Sequence, residues 1–340
     1  VLKLRRGVVT AADPLTVEID GEQRPAWADE AMVGEVLPGD EVIVNTEALD
    51  LRLGSGGFDV VHANLSRGLD GAGSGGDAHV MKLNYTSLQH PVDPVEEPHD
   101  SDWRPARAIP VLVCFLHGQL APAAWAAAQA SPQLRVGYVQ TPGGALPGTL
   151  SRDVGELREW GLLAGHVTAG ACHGGEQEAI SVAGALHAAA GGLGWEAVIA
   201  APGPGILGSA TRYGHGGMAA LDTAHAALAL GLPTAIAPRI SSGDERERHR
   251  GLSHHTEAVL RLLLAPVQVA CPQGAIGAEE LERGVPDLHR VVGVPVELDG
   301  YAGSGLPART MGRGLEEDPD FFAAALAGGN LLASLSAGKG

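Results

Sequence analysis

Hydrophobic and polar positions divide the chain into two styles. From residue 1 to about 90, short apolar runs with partial alternation, VLKLRRGVVTA, LTVEID and EVIVN, are broken at Asp13-Pro14, Asp20-Gly21 and Pro38-Gly39. Alternation between turn residues is the mark of a half-buried strand, and short strands at this spacing predict a small β barrel. From Ile109 the runs become uniformly apolar. IPVLVCFLHG, LRVGYVQTPGG, HVTAGACHGG, EAVIAAPGPG, PTAIAPRIS and VQVACP read as six buried strands. Helical spacing separates them, over 122–130, 176–190, 218–230 and 254–264. A further helix, capped by Thr149, places Leu150, Val154, Leu157 and Trp160 on one face. Strands alternating with helices predict a doubly wound, mostly parallel Rossmann-like α/β sheet, preceded by the barrel-like N-terminal β domain.

The boundaries follow from punctuation. An N-terminal β domain covers 1–90 and a Pro-rich, acidic linker covers 91–107. The Rossmann-like domain covers 108–275, and a C-terminal extension, 276–340, packs back on the domains. That extension holds an apolar run at 291–298 and a helix near 316–327.

Composition narrows the function classes. The 340 residues carry 23 Lys+Arg against 40 Asp+Glu, a formal charge of −17. Such a surface repels phosphate backbones and anionic lipid, which argues against nucleic acid and membrane as partners and for a small-molecule ligand. Only 19% of residues are charged and 4% aromatic, while glycine reaches 49. The core must therefore be aliphatic, with backbones in close approach. Cys114, Cys172 and Cys271 are odd in number and widely spaced, with no zinc-type spacing, as in a reducing compartment. The opening VLKLRRGVV lacks the apolar core of a signal peptide. The apolar stretch 218–237 is interrupted by Asp222, His225, Gly231 and Pro233. The expected location is cytoplasmic.

Ligands of open parallel sheets bind beyond the carboxyl ends of the strands. Five strand ends carry unusual chemistry here: His117-Gly118-Gln119, Thr141-Pro142-Gly143-Gly144, Cys172-His173-Gly174-Gly175, Pro202-Gly203-Pro204-Gly205 and Arg239-Ile240-Ser241. Turns need glycine anyway, but five on one edge point to a site. The densest polar segment is 239–256, RISSGDERERHRGLSHHT, with four arginines and three histidines. Ser253 reads as a helix N-cap that places His254 and His255 in the first turn. The positive helix end keeps these imidazoles neutral near pH 7, the form a base or metal ligand needs. Adjacent helical residues point about 100° apart, so one of the pair is expected to face the site.

Other signals are weaker. His117, His249 and His254 or His255 with Glu176 or Glu178 could assemble a metal site, but no fixed spacing supports it, so metal and cofactor stay unassigned. Gly170-Ala171-Cys172-His173-Gly174 has the form of a nucleophile elbow, against which a buried inert cysteine is the better reading. Gly203-Pro204-Gly205-Ile206-Leu207-Gly208 offers backbone N–H groups to an anion or forms a rigid turn. His225 falls on the Met218, Leu221, Leu228 stripe of its helix, a core position.

Taken together, these segments resemble the bacterial proteins grouped as domain of unknown function 3866. The carrying stretches are PGDEVIVNTEALDLRLGSGG, HVMKLNYTSLQ, HGQLAP, GYVQTPGGALP, HGGEQEAISV, GPGILGS, DERERHRGLSHHT and TMGRGLEEDPDFF, in family order over nearly the whole chain. The resemblance names no reaction. It singles out His117, Gln119, Gly174, Gly175, Glu178, Arg239, Asp244, Arg246, His249, Ser253, His254, His255 and Arg313. It keeps no cysteine at Cys172, which counts against a thiol nucleophile.

The expectation is an enzyme, a hydrolase or group transferase, acting on a small polar or anionic metabolite in the strand-end cleft. His249, Ser253, His254, His255 and Glu178 are the candidate catalytic residues. His117, Gln119, Gly143, Gly144, Gly174, Gly175, Gly203, Gly205, Gly208, Arg239 and Arg246 are the candidate substrate or anion contacts. Two other classes stand beside it: a non-catalytic ligand-binding or regulatory module, and a structural subunit of a homo-oligomer with this loop at the interface.

Overall fold

The computed structural model describes residues 1–53, 56–69, 78–100, 102–275 and 278–338. Gly54, Ser55 and most of the second glycine-rich run, 70–76, lie outside the described residues. The chain folds as two units, Val1–Val92 and Asp93–Gly340.

In the first unit five strands close into a barrel: β1 (Leu4–Ala12), β2 (Leu15–Ile19), β3 (Glu22–Trp27), β4 (Glu41–Asn45) and β5 (Asp59–Asn64), in the order β1-β2-β3-β5-β4. All pairings are antiparallel except β3 with β5. Alternation sends Val9, Val17, Ile19, Val42, Val44 and Val61 inward. Closure leaves no open strand edge. At the β3–β5 seam Arg24 donates to Asp59 at 2.6 Å and to Asp50 at 2.7 Å.

The second unit is built on eight parallel strands. They are β6 (Val111–Cys114), β7 (Val136–Thr141), β8 (Gly165–Ala169), β9 (Gln177–Ala179), β10 (Ala197–Pro202), β11 (Thr234–Ala237), β12 (Gln268–Pro272) and β13 (Arg290–Val294). Their order is β9-β8-β7-β10-β6-β11-β12-β13, every pair parallel. The main helices are α1 (Leu120–Ala130), α2 (Arg152–Glu159), α3 (Val182–Gly191), α4 (Ala219–Ala229), α5 (His254–Leu262) and α6 (Pro319–Ala337). This is the expected Rossmann-like α/β arrangement behind a β barrel. The six predicted strands are all present, and β9 and β13 extend the sheet at its two edges.

Three local readings are corrected. Residues 177–179 are not helical; they pair with β8, Val167 opposite Gln177, and Ser181 then caps α3 by accepting from Gly184 N–H at 2.9 Å. A three-residue edge strand is too short for periodicity to separate it from a helix start. The cap of α2 is Ser151 rather than Thr149, and of the predicted face Val154 and Leu157 are buried while Trp160 is exposed. His225 is half-buried, and its Nε2 accepts the N–H of Leu264 at 3.3 Å.

Part of the Pro-rich stretch is fastened to the sheet. Val95 N–H donates to Glu178 O at 2.8 Å, and Glu96 accepts from the N–H groups of Ile180 and Ser181. At the other end α6 is long and apolar enough to cross a membrane, yet 72% of its apolar window is buried in the fold. Its Phe321, Phe322, Leu326 and Leu332 belong to the main core. Gly329 lets α6 approach α1 so closely that a methyl group there would overlap the carbonyl of Ala123. Gly329→Ala is therefore expected to lower unfolding free energy by about 1–3 kcal/mol, read by urea denaturation. An unchanged midpoint would mean that the two helices separate without cost.

Candidate active site at the strand ends

Strand order sets where a site can form. From β6 the chain runs outward through β7, β8 and β9, then returns to place β10 and β11 on either side of β6. Loops leaving strands that flank such a reversal diverge and open a crevice at the carboxyl end. The loop after β10 carries His215. The loop after β11 carries Arg239, Asp244, Arg246 and His249, and ends at Ser253, whose Oγ accepts from His255 N–H at 3.3 Å at the start of α5.

These two loops bring four imidazoles together. The rings of His215 and His255 stack at 3.7 Å with 11° between their planes. His254 lies 5.2 Å from His215 and 4.5 Å from His255, and His249 lies 4.8 Å from His254 and 4.8 Å from His255. One nitrogen from each of His215, His254 and His255 falls within 4.8 Å of the others. Both members of the His254–His255 pair thus face the cluster, not one. The loop from β10 passes over the first turn of α5, where two neighbouring positions can flank the same residue.

Burial is the main force on these groups. It pushes His254 down to about 4 and His249 down to about 3, with His255 lower still, and the Arg239 charge acts in the same direction. His215 is lowered too, first by burial. Neutral imidazoles were expected from the helix dipole; desolvation is the larger cause.

Arg239 is the charge behind them. It is 1% exposed, and burial lowers its pKa to about 10 even though Asp244 works against that. Its guanidinium donates to Asp244 at 3.1 Å and to His255 Nδ1 at 3.2 Å. Asp244, also 1% exposed, accepts as well from Arg246 at 2.8 Å and Arg313 at 3.3 Å. One carboxylate therefore gathers three arginines. A second, Asp318, accepts from Ser241 Oγ at 2.6 Å, Ser242 N–H at 2.9 Å and Arg313 at 3.0 Å, and so pins the start of the same loop.

Against this cluster lies an open cleft of about 620 Å³, lined by Arg212, Tyr213, Arg248, His254, Glu257, Ala258 and Arg261. Glu257, the one acid of the lining among the described residues, is paired with Arg261 at 2.9 Å. The cleft is therefore positive in a chain of charge −17.

The other candidate residues fall elsewhere. Gln119 is fully engaged with backbone: its oxygen accepts from Phe115 and Leu116 N–H, and its amide donates to the carbonyls of Ala237 and Pro238. It clamps the ends of β6 and β11. His117 Nε2 lies 2.7 Å from Ser151 Oγ and 3.9 Å from Asp153. A Ser–His–Asp relay needs the carboxylate on the opposite ring nitrogen, so that chemistry is not assembled. Glu178 accepts from Thr168 Oγ1 at 2.8 Å and Gly174 N–H at 2.6 Å, and Gly175 N–H donates to Thr168. This group sits over β8 and β9, at the far edge from β11. Cys172 is buried and leads into β9 rather than a helix, so the elbow lacks the helix N-terminus that would activate a thiol.

The glycine turns pack on one another. A methyl on Gly143 would overlap the carbonyl of Gly216, and one on Gly144 that of Gly203. Leu207 N–H donates to Gly143 O at 3.0 Å and Gly216 N–H to Leu207 O at 2.7 Å. Gly205 and Gly208 lie exposed on this loop, and Gly208 bridges to His215. The 203–208 turn is thus a rigid support for the loop that carries His215.

His215, Arg212, Arg261 and Asp318 were not identified from sequence. His215 had one visible signal, a histidine among Gly214, Gly216 and Gly217 just beyond a strand end.

A family model described as protein of unknown function (DUF3866) matches residues 25–329. No curated protein and no solved structure matches the chain.

Proposed function

The chain belongs to that family of unknown function, and from the site at its strand ends we propose that it is a hydrolase or group transferase acting on a small anionic metabolite. The observation that carries the reading is the cleft of about 620 Å³ in which Arg212, Arg248 and Arg261 surround His254. That volume suits a metabolite rather than a polymer. The arginines bind the anionic group of the substrate, and the histidine cluster behind His254 activates the attacking group. Arg239 and Arg246, held by Asp244, fix the loop that presents the histidines. The overall charge of −17 favours small molecules over nucleic acid or membrane as partners. The lack of any disulfide among Cys114, Cys172 and Cys271 favours a cytoplasmic location.

A panel of small phosphate esters, carboxylic esters and amides, in anionic and neutral versions, tests this by NMR detection of product. The expected result is turnover of an anionic member and none of its neutral counterpart. Arg248→Ala should raise KM for that substrate about tenfold or more and leave kcat within about threefold, since a charge-assisted contact is worth about 1.5–3 kcal/mol. Binding without turnover across the panel would instead favour the ligand-binding module.

A further inference from the structure

We infer that His215, His254 and His255 form a binding site for one late first-row divalent cation, zinc being the reference case. This deepens the reading above by naming what the histidine cluster holds.

The first observation is proximity: one nitrogen of each ring lies within 4.8 Å of the others, His215 on the loop after β10 and His254 and His255 in the first turn of α5. The second is that two nitrogens in this group lack partners. His215 is 6% exposed, and its Nδ1 is buried with no hydrogen bond among the described residues; the same holds for Nε2 of His254. Two buried nitrogens left unpaired in one cluster mark a place for an ion or a water. The third is tautomer. His215 Nε2 lies 3.0 Å from the carbonyl of Arg212, so that nitrogen carries the proton and Nδ1 keeps its lone pair for the group interior. A metal-ligating histidine is held in this way, its outer N–H donated to a carbonyl.

The donor chemistry selects the metal. The group holds imidazoles and no carboxylate or thiolate. Three nitrogen donors suit zinc, cobalt or nickel, and not magnesium or calcium, which take oxygen. At His255 binding requires a ring rotation: the ring stacks parallel on His215 at 3.7 Å, so the two in-plane lone pairs do not meet at one ion until it turns, and Arg239 already donates to its Nδ1 at 3.2 Å. Arg239 keeps its bond to Asp244 when it yields that contact. Three protein ligands leave a coordination position for water or substrate, and His254 is the ligand on the cleft wall.

The test needs no substrate. The full chain is dialysed against chelator and titrated with zinc and, separately, cobalt, by calorimetry and by visible absorption of cobalt. The expected result is one equivalent bound at micromolar Kd or tighter, with cobalt bands of a nitrogen-ligated site. His215→Ala and His254→Ala should each weaken binding at least 100-fold, with circular dichroism unchanged. His187→Gln, on α3, should leave binding as it is. No binding to the wild-type chain would overturn the inference, and would assign the buried nitrogens to water. So would binding that survives both substitutions. A chain that binds neither zinc nor cobalt yet turns over substrate defeats this site and leaves the proposed function standing; one that binds zinc but turns over nothing does the reverse.

Discussion

Replacing Asp244 by asparagine is expected to cost about 3–5 kcal/mol of stability, because it removes one partner of a buried ion-pair cluster. The carboxylate is 1% exposed and accepts from Arg239, Arg246 and Arg313. Without its charge, Arg239 remains buried as a cation with only a neutral partner. Arg239→Met should cost less, because Asp244 still has two arginines. The pH dependence has a definite sign. Hydrogen bonds and charge from Arg246 hold the Asp244 carboxyl well below the usual carboxylate range, against the opposing effect of burial. An unfolded aspartate titrates near about 3.9. Its contribution is therefore complete above about pH 4 and lost as pH falls further, through the folded value. Guanidinium denaturation between pH 7 and pH 2 should show wild type and Asp244→Asn far apart at neutral pH and converging in acid. A gap below about 1 kcal/mol at pH 7 would mean that the loop does not depend on this carboxylate.

The second large effect is on turnover. His254→Ala is expected to lower kcat on an accepted substrate by about 100- to 10,000-fold, the range for removal of a positioned acid–base or activating group. The fold should survive, since His254 is only half-buried and the cap of α5 rests on Ser253. KM should change little. Arg248→Ala should do the opposite, and the contrast separates binding from activation. Equal kcat in wild type and His254→Ala, with both chains folded, would remove the histidine cluster from the mechanism.

Much of the fold was legible because burial leaves a trace along the chain. Runs such as VLVC and AVIAAP are buried at every position, as strands covered on both faces must be. The same logic failed at 177–179, where only Ala179 of the three residues is buried. Glycine showed where backbones meet but not what they meet. The 203–208 turn read equally as an anion cradle or a rigid turn, and with 143–144 it braces one loop against another.

By itself the sequence determined the order of the strands and helices apart from β9, the barrel before the parallel sheet, the Ser253 cap and the loop rich in arginine and histidine. These are consequences of local periodicity, capping and charge, each readable within a few consecutive residues. Only the tertiary structure decided which of those residues meet. The insertion of β10 and β11 on either side of β6 brings His215 against His254 and His255, and leaves Glu178 over the opposite edge. It buries Arg239 behind the imidazoles and lines the cleft with Arg212 and Arg261. The physical reason is that contact between distant segments follows from sheet order, which is selected by the packing of the whole core rather than by any local stretch of chain.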